Sequence, residues 1–269
     1  YYCGNYRQYQ QYRHRSDQQH WCSVWRGGYN VDHKQWNYRH RSMLKWLLIL
    51  FLVVPNAYSE IGEISELRGN GEVLRQSEGD KLLATLALDI FSYDDIRTGN
   101  GRIAVKFVDD SVIRLTEHSK IIIDEYIYDP DPSNSKLALR MASGTARFIT
   151  GALGKIDKEN ISIRTPSATV SIRGTDFTTT VDELGRSLVI LLPSPDGSSS
   201  GEITVATLAG IEVLNQPFQA TMVSMSESPP TKPVTLTNMT LNFIDNLLIV
   251  APPNEVQQAV EEQSQSSTN

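Results

Sequence analysis

The stretch that decides the fold is ISIRTPSATVSIRGTDF, residues 161–177. Its apolar and polar side chains alternate, which is the period of a β-strand with one buried face. The apolar positions are odd before residue 165, even between 168 and 172, and odd again at Phe177. Because a one-residue shift turns every side chain to the other face of a sheet, each change of phase requires a bulge or a corner. We place these corners at Thr165-Pro166 and Arg173-Gly174.

The same period of two continues on both sides of this stretch. Alternating residues before and after Asp109-Asp110 predict a hairpin through Asp109, and Asn100-Gly101 is a second hairpin signal because both residues tolerate positive φ. Asp129-Pro130-Asp131-Pro132 is expected to be a loop, since proline donates no ladder hydrogen bond. Further strands are expected at Ile121–Tyr128, Leu137–Met141, Ala146–Thr150, Leu188–Leu192, Ile203–Leu208 and Ile211–Leu214. The run Leu188–Leu192 is apolar throughout, which suits burial on both faces.

These patterns predict an all-β fold. Two architectures satisfy them, a twisted antiparallel β-sandwich and a short β-solenoid-like domain, because corners marked by Gly and Asp recur every ten or so residues in both. We favour the sandwich slightly.

The front of the chain has a different composition. The sequence has 269 residues, and residues 1–42 contain no Leu, Ile, Ala, Phe, Met or Glu. From Met43 a short basic segment, an apolar run and the small-x-small site Ala57-Tyr58-Ser59 form the pattern of a secretory signal peptide at 43–59. We therefore expect residues 1–42 to be a disordered, non-native upstream leader. The alternative is a basic cytoplasmic tail before a membrane anchor, but the apolar run is much shorter than the roughly 20 residues that span a bilayer.

Charge and cysteine content exclude several classes of function. Residues 60–269 carry 17 Lys and Arg against 29 Asp and Glu, and both cysteines, Cys3 and Cys22, lie before the signal peptide. An acidic chain without a basic cluster is not expected to bind nucleic acid or anionic lipid. Without cysteine, the exported part has no disulfide, no thiolate metal site and no lipid-modified cysteine. We expect no cofactor, no metal and no stable membrane span after signal cleavage.

The run from Ile163 to Phe177 resembles the signature I-x-T-P-x-A-T-x-x-I-R-G-T-D-F of the FecR domain family. The resemblance extends upstream to cover about residues 62–182, through Asp95-Ile96-Arg97-Thr98-Gly99, the hairpin at Asp110-Ser111 and the stretch 144–151. It implies an exported, all-β and non-catalytic module. The best-known members relay an outer-membrane receptor signal through an inner-membrane anti-sigma protein, and they are similar to this sequence only in their periplasmic half. The cytoplasmic helical sigma-binding region has no counterpart here, so we expect a FecR-like protein that lacks the anti-sigma region.

The resemblance makes the two corners of the motif the candidate binding site. The candidate binding residues are Arg164, Thr165, Pro166, Arg173, Gly174, Thr175, Asp176 and Phe177. Arg173 and Asp176 could clamp a carboxylate or a sugar. We favour the interpretation that they pair with each other or with backbone, because the residues between them are turn formers.

Other polar residues are weaker candidates. His118 is alone after residue 42 and is expected on the surface, since one imidazole forms neither a zinc site nor a triad. The acidic stretch Asp124-Glu125, Asp129 and Asp131 could surround Ca²⁺, but it lacks the EF-hand pattern and a solvated loop is favoured. Asp94-Asp95 and Asp109-Asp110 are carboxylate pairs of the kind a glycosidase uses.

Taken with the resemblance, these residues predict a FecR-like β domain at 60–186, a β extension at 187–250 and a disordered tail at 251–269. We expect a periplasmic or secreted binding, sensing or scaffold module, not an enzyme, whose partner is an envelope protein or polysaccharide. An open β edge can accept a partner strand without any sequence signature, which would explain why no site is legible. The alternative is a carbohydrate-active enzyme of the cell envelope, and the two hypotheses differ in whether Asp94, Asp95, Asp109 or Asp110 lie near one another in a cleft.

Overall fold

The computed structural model describes residues 59–76, 79–129, 131, 134–153, 161–237 and 253–266. This part of the chain is mostly β, with one helix. The strands are β1 (Gly62–Arg75), β2 (Asp80–Leu83), β3 (Asp89–Ile90), β4 (Asp94–Phe107), β5 (Val112–Leu115), β6 (Lys120–Ile127), β7 (Lys136–Ile149), β8 (Ile161–Arg164), β9 (Thr169–Arg173), β10 (Asp176–Val181), β11 (Ser187–Leu191), β12 (Glu202–Ala206), β13 (Ile211–Leu214), β14 (Gln219–Val223) and β15 (Val234–Thr235). The helix α1 spans Asn254–Ser266. The signal peptide and the leader at 1–42 lie outside the described residues, Ser59 excepted.

Four strands close into a small barrel. β4 pairs with β5 and β6, and β7 pairs with the same two strands, so the ladder returns to its start. β1 lies along β4 over almost its full length and also pairs with β2 and β3. The barrel with other strands packed on it refines the predicted all-β class.

β7 connects the barrel to the rest of the sheet. It pairs in parallel with β8, and β9, β12 and β13 follow in that order. The second half of β7, residues 144–149, pairs with β10, which leads through β11 and β14 to β15. The two strands predicted at Leu137–Met141 and Ala146–Thr150 are therefore one strand.

The core follows the predicted alternation. The inner positions of β8 and β9, namely Ile161, Ile163, Val170 and Ile172, are buried in one large apolar cluster. β11 is buried on both faces, as its apolar run predicts: Val189 and Leu191 belong to this cluster, while Leu188, Ile190 and Leu192 belong to a second one.

The hairpin through Asp109 is confirmed, but Asn100-Gly101 does not form a hairpin turn. β4 and β5 pair from Lys106↔Val112 to Ile103↔Leu115. Asn100-Gly101 lies inside β4, where the register against β1 shifts between Gly69 and Gly71. A side chain at Gly101 would lie 2.1 Å from the carbonyl oxygen of Arg68. The glycine therefore permits a close approach of two strands at a bulge, which local turn preference could not reveal.

The C-terminal end differs from the expected disordered tail. Helix α1 covers most of 251–269, and Val256 is fully buried with Val260 packed beside it in the second apolar cluster. Two valines four residues apart form a narrow apolar stripe on a helix whose other residues, apart from Ala259, are polar. The hydroxyl of Thr237 donates to Glu255 at 2.9 Å, which ties the first turn to the sheet. The polar composition of this segment concealed a helix that depends on tertiary packing.

Candidate functional site

The inner residues of the predicted site belong to the core. Phe177 is fully buried and stacks on Phe148 of β7, with ring centroids 4.9 Å apart. Thr175 is also buried, and its carbonyl oxygen accepts hydrogen bonds from the amide and hydroxyl of Thr150 at 3.1 and 3.0 Å. Neither side chain is exposed to a ligand, so both hold the domain together.

The Thr165-Pro166 corner is a hydrogen-bonded turn between β8 and β9. The hydroxyl oxygen of Thr165 accepts from the amide of Ala168 at 2.9 Å and from the hydroxyl of Ser187 at 2.8 Å. Pro166 lies exposed in the turn. The predicted corner is confirmed, and its threonine fixes the turn to the start of β11.

The Arg173-Gly174 corner carries the chain from β9 to β10. Gly174 has a φ of 57°, in the left-handed region that favours glycine. Asp176 does not pair with Arg173. Its carboxylate accepts two hydrogen bonds from Arg147 of β7, at 2.9 and 2.7 Å, and its amide donates to Ser200 at 3.0 Å. The corner is therefore fixed by an arginine 29 positions away, a partner that the spacing of the motif could not reveal.

Two arginines of the predicted site remain accessible. Arg164 ends β8 and Arg173 ends β9, and both are exposed. Arg173 lies opposite Glu202 in the register of β9 and β12, and Arg164 lies opposite Arg140 in that of β7 and β8. Of the eight predicted site residues, these two and Pro166 lie on the outer surface.

An edge strand close to this outer face carries exposed apolar side chains. Among the described strands, β13 pairs only with β12. Ile211 and Val213 on β13 are 64% and 39% exposed, and Leu208 in the preceding turn is 83% exposed. An edge with exposed apolar side chains is a template on which another strand can pair.

The direction of the backbone groups on β13 follows from its hairpin. The amide of Thr207 donates to the carbonyl of Gly210 at 2.9 Å, which makes this a hydrogen-bonded pair. Such pairs alternate with non-hydrogen-bonded pairs along an antiparallel ladder. Ile211 and Val213 therefore point their own N–H and C=O groups away from β12.

A large cavity lies beside this edge. Its volume is about 790 Å³, and its walls include Glu212 of β13, Ser224, Pro229 and, from α1, Val260 and Gln263. Nothing in the sequence indicated this cavity, because helix α1 forms one of its walls and the polar composition of residues 251–269 did not predict a helix.

The carboxylates considered for catalysis have partners within the fold. Asp94 and Asp95 begin β4, whereas Asp109 and Asp110 follow its end. Asp94 is buried against Arg75 at 3.2 Å, and Asp95 pairs with two cations, which are Arg97 at 2.7 Å and Lys120 at 3.3 Å. Asp94 and Asp95 are thus each paired with cations of the fold, which differs from the two unpaired carboxyl groups that flank the bond in a glycosidase.

Asp109 is a structural carboxylate. It accepts hydrogen bonds from Tyr126 at 3.0 Å, from the hydroxyl of Ser111 at 2.6 Å and from the amide of Leu153 at 3.1 Å. Asp110 is exposed and pairs with Lys106 at 2.8 Å. Burial, followed by the negative charge of Asp109, raises the pKa of the Tyr126 phenol above its ordinary value. These contacts close the Asp109 hairpin and give this carboxylate a structural role.

The remaining candidates are also engaged or exposed. Asp124 pairs with Arg140, and Glu125 pairs with Lys136 at 2.6 Å. Within the described ranges, no group of three or more metal-ligating side chains comes together. His118 lies exposed in the turn before β6, as expected. In the same part of the chain, no helix is both long and apolar enough to cross a membrane.

Fold and contacts together define a β-rich domain whose motif locks a corner of its own sheet. Residues 94–193 are a FecR domain, because they match the family described as FecR protein. The match includes both corners, the Asp109 hairpin and the Arg147–Asp176 pair.

Two solved structures are similar to this chain. Both are crystal structures of a protein from Parabacteroides distasonis ATCC 8503 described as a "putative anti-sigma factor". One has a TM-score of 0.42 at 16% identity and covers 56% of this chain and 63% of its own. The other has a TM-score of 0.38 at 16% identity, with 51% and 57% covered. The chain thus spans less than two thirds of either structure. No curated protein matches the sequence.

Proposed function

We propose that this protein is an exported, non-catalytic binding and sensing module with a role in envelope signalling. Support comes from the FecR domain at 94–193, a family of generally non-catalytic sensor and anti-sigma proteins. The signal peptide pattern at 43–59 supports a periplasmic or secreted location. The partner is an envelope protein that presents a β-strand.

The observation that carries this proposal is the outer edge of β13, on which no other described strand pairs. A partner strand that pairs with β13 gains main-chain hydrogen bonds from Ile211 and Val213, whose backbone groups point outward. It also covers exposed apolar side chains at Leu208, Ile211 and Val213. Main-chain pairing gives affinity, and the neighbouring apolar side chains give specificity.

The outer faces of β8 and β9 would then form a secondary contact surface. Arg164 and Arg173 are the exposed members of the motif, whereas Thr165, Thr175, Asp176 and Phe177 stabilise the corners. We propose that the two arginines contact the same partner.

For the strands outside the barrel, we propose the twisted sandwich rather than the solenoid. All strand pairs in the described part are antiparallel except β7 with β8, whereas stacked solenoid coils pair in parallel. The two apolar clusters on opposite sides of β11 support stacked layers.

The decisive experiment removes one edge amide. Val213→Pro deletes an outward-pointing N–H while leaving the β12 ladder intact, and Val213→Thr is the matched control that keeps the amide. A photo-crosslinking residue at 211 in cells should give one discrete adduct with an envelope protein. The adduct should be lost with Val213→Pro and retained with Val213→Thr. The same residue placed at 86, which is exposed on the opposite half of the chain, should not give it.

Both variants must keep the melting temperature of the parent protein, which separates lost pairing from lost folding. A folded Val213→Pro variant that retains the adduct contradicts strand pairing at β13. Export is tested separately by sequencing the mature N-terminus, which should begin at Glu60. A cytoplasmic protein that keeps residues 1–59 contradicts the proposed location.

A further inference from the structure

Helix α1 covers the second apolar cluster with few side chains. This cluster includes Ile190 of β11 and Met222 of β14. Among the 13 residues of α1, all within the described part of the chain, Val256 alone is fully buried, and Val260 packs beside it. A face of two valines removes little apolar area from water, so the helix is held on the sheet by a small contact for its length.

The inner face of α1 becomes less apolar towards its C-terminal end. Residues at i, i+3, i+4 and i+7 share one face of a helix, and on α1 these are Val256, Ala259, Val260 and Gln263. Ala259 and Gln263 are half-buried. The side-chain amide of Gln263 donates to the carbonyl oxygen of Pro229 at 3.2 Å. An alanine and a glutamine therefore occupy positions where large apolar side chains would fill the contact with the sheet.

Unfilled space lies beside this half of the helix. The cavity of about 790 Å³ near β13 has Ala259, Val260 and Gln263 as its wall on α1, and its other walls include Pro229 and Val234. Sites for drug-sized ligands have volumes of roughly 300–1,000 Å³. We refer to this cavity and the second apolar cluster beneath α1 as the α1 groove. The helix thus leaves a space of binding-site size in the groove, with apolar side chains from both helix and sheet.

The groove is also what keeps α1 helical. Isolated helices shorter than about 12–15 residues are marginal in water, and α1 has 13 residues. The hydrogen bond from Thr237 to Glu255 at its first turn is exposed to solvent, where water competes for both groups. The docked and undocked states of α1 therefore differ by a small free energy. A helix that fits the groove better can take its place.

We infer that the α1 groove binds an amphipathic helix of a partner protein, and that α1 is its resident occupant. The partner helix carries leucine-sized side chains at the positions that correspond to Ala259 and Gln263. Insertion of the apolar face of a helix into an apolar groove is a recurring mode of recognition. A second copy of α1 would bring the same alanine and glutamine and leave the same cavity, so it is not the expected occupant. The inference does not depend on strand pairing at β13.

The test measures binding of a fluorescent peptide to the folded exported chain by anisotropy. The peptide has the sequence of residues 253–266 with Ala259→Leu and Gln263→Leu, and a covalent staple between positions 261 and 265 keeps it helical, which lowers the cost of ordering. Both stapled positions are exposed on α1, so the staple stays clear of the groove. The control peptide carries Val256→Asp and Val260→Asp in addition and should not bind.

Variants of the chain that move α1 should change the affinity for this peptide in opposite directions. Val256→Asp releases α1 and should raise the affinity about tenfold or more, because a site that is occupied in about nine of ten molecules has an apparent affinity about tenfold weaker. Glu255→Ala removes the bond to Thr237 and should raise the affinity less. Ala259→Leu in the chain extends the apolar contact of α1 and should lower the affinity. Val213→Pro on β13 should leave it unchanged.

Each variant must keep a cooperative thermal melt. Glu255→Ala leaves the apolar cluster intact, so it carries the test if Val256→Asp does not fold. Absence of peptide binding to the folded variants that release α1 would overturn the inference. Equal affinities of the parent, Glu255→Ala and Ala259→Leu would also overturn it, because the peptide would then bind elsewhere on the chain. Equally tight binding of a stapled peptide with the unchanged sequence would contradict the larger partner side chains and indicate exchange of α1 between two copies.

Discussion

The four-strand barrel and the β13 edge differ in how their backbone N–H and C=O groups are paired. Each strand of the barrel has a neighbouring strand on both sides. The buried carboxylates nearby, Asp94 and Asp109, accept hydrogen bonds from the Phe91 amide and the Tyr126 hydroxyl. Among the strands that the structure describes, β13 pairs only with β12, and it exposes Ile211 and Val213. This difference shows that most residues of the FecR signature stabilise the fold, whereas the surface available to a partner lies elsewhere.

Phe177→Ala should give the largest loss of stability. The ring is fully buried against Phe148, so its removal leaves a cavity and should cost about 3–5 kcal/mol in the free energy of unfolding. Leu208→Ala at the open end is the control and should cost less than about 0.5 kcal/mol, because that side chain is 83% exposed. Urea denaturation of both variants measures the contrast. Similar losses would mean that the two regions do not differ as described.

Asp109→Ala should give the second largest loss of stability. It leaves the Tyr126 and Ser111 hydroxyls and the Leu153 amide without their buried acceptor, and should cost about 3 kcal/mol. Asp110→Ala is an adjacent control whose carboxylate lies on the surface, and it should leave the urea midpoint almost unchanged. If Asp109→Ala and Asp110→Ala lowered the urea midpoint equally, the hydrogen bonds of Asp109 would not be what stabilises the hairpin.

Gly174→Val should cost more than about 1 kcal/mol, because a β-branched residue at a φ of 57° is strained. Gly174→Asn is the matched variant, since asparagine tolerates this region, and it should cost less. Thermal melting of the two variants tests the corner itself. An unchanged melting temperature for Gly174→Val would refute the role assigned to this glycine.

Periodicity predicted much of the fold because strand alternation is a local property. Both corners, the Asp109 hairpin and the double burial of β11 followed from residues adjacent in sequence. The Arg147–Asp176 pair and the bulge at Gly101 did not, since each depends on which strands become neighbours. Register between strands distant in sequence is set by the whole sheet, so no spacing of residues reveals it.

The candidate site was predicted less well for the same reason. Thr175 and Phe177 belong to a recognisable motif, but a motif does not distinguish side chains that face a ligand from those that fill a core. The four residues of β13 form no recognisable motif. The strand is a candidate binding site only because no described strand pairs with its outer side, which the sequence does not show. Helix α1 was not predicted because Val256, Ala259 and Val260 are its only apolar residues.

The smallest effect should appear only in alkali, at Tyr126. Burial and the neighbouring Asp109 raise the pKa of this phenol in the folded protein, whereas an unfolded tyrosine titrates near pH 10. A raised folded pKa favours the protonated form, so its contribution to stability is complete below pH 10 and is lost as the pH rises through the folded pKa. At pH 10.5, ionisation in the unfolded chain alone should lower stability by about 0.8 kcal/mol.

Tyr126→Phe removes this titration while keeping the ring stacked on Phe107. The variant should be less stable than the parent at neutral pH, because Asp109 loses a donor, and the gap should narrow between pH 9 and pH 11. Urea denaturation across this range measures the gap, and groups common to both proteins cancel. A stability difference that stays constant over this range would mean that the Tyr126 phenol has the same pKa in the folded and unfolded chains. Burial and Asp109 would then not raise its pKa, which would contradict the contacts described for the Asp109 hairpin.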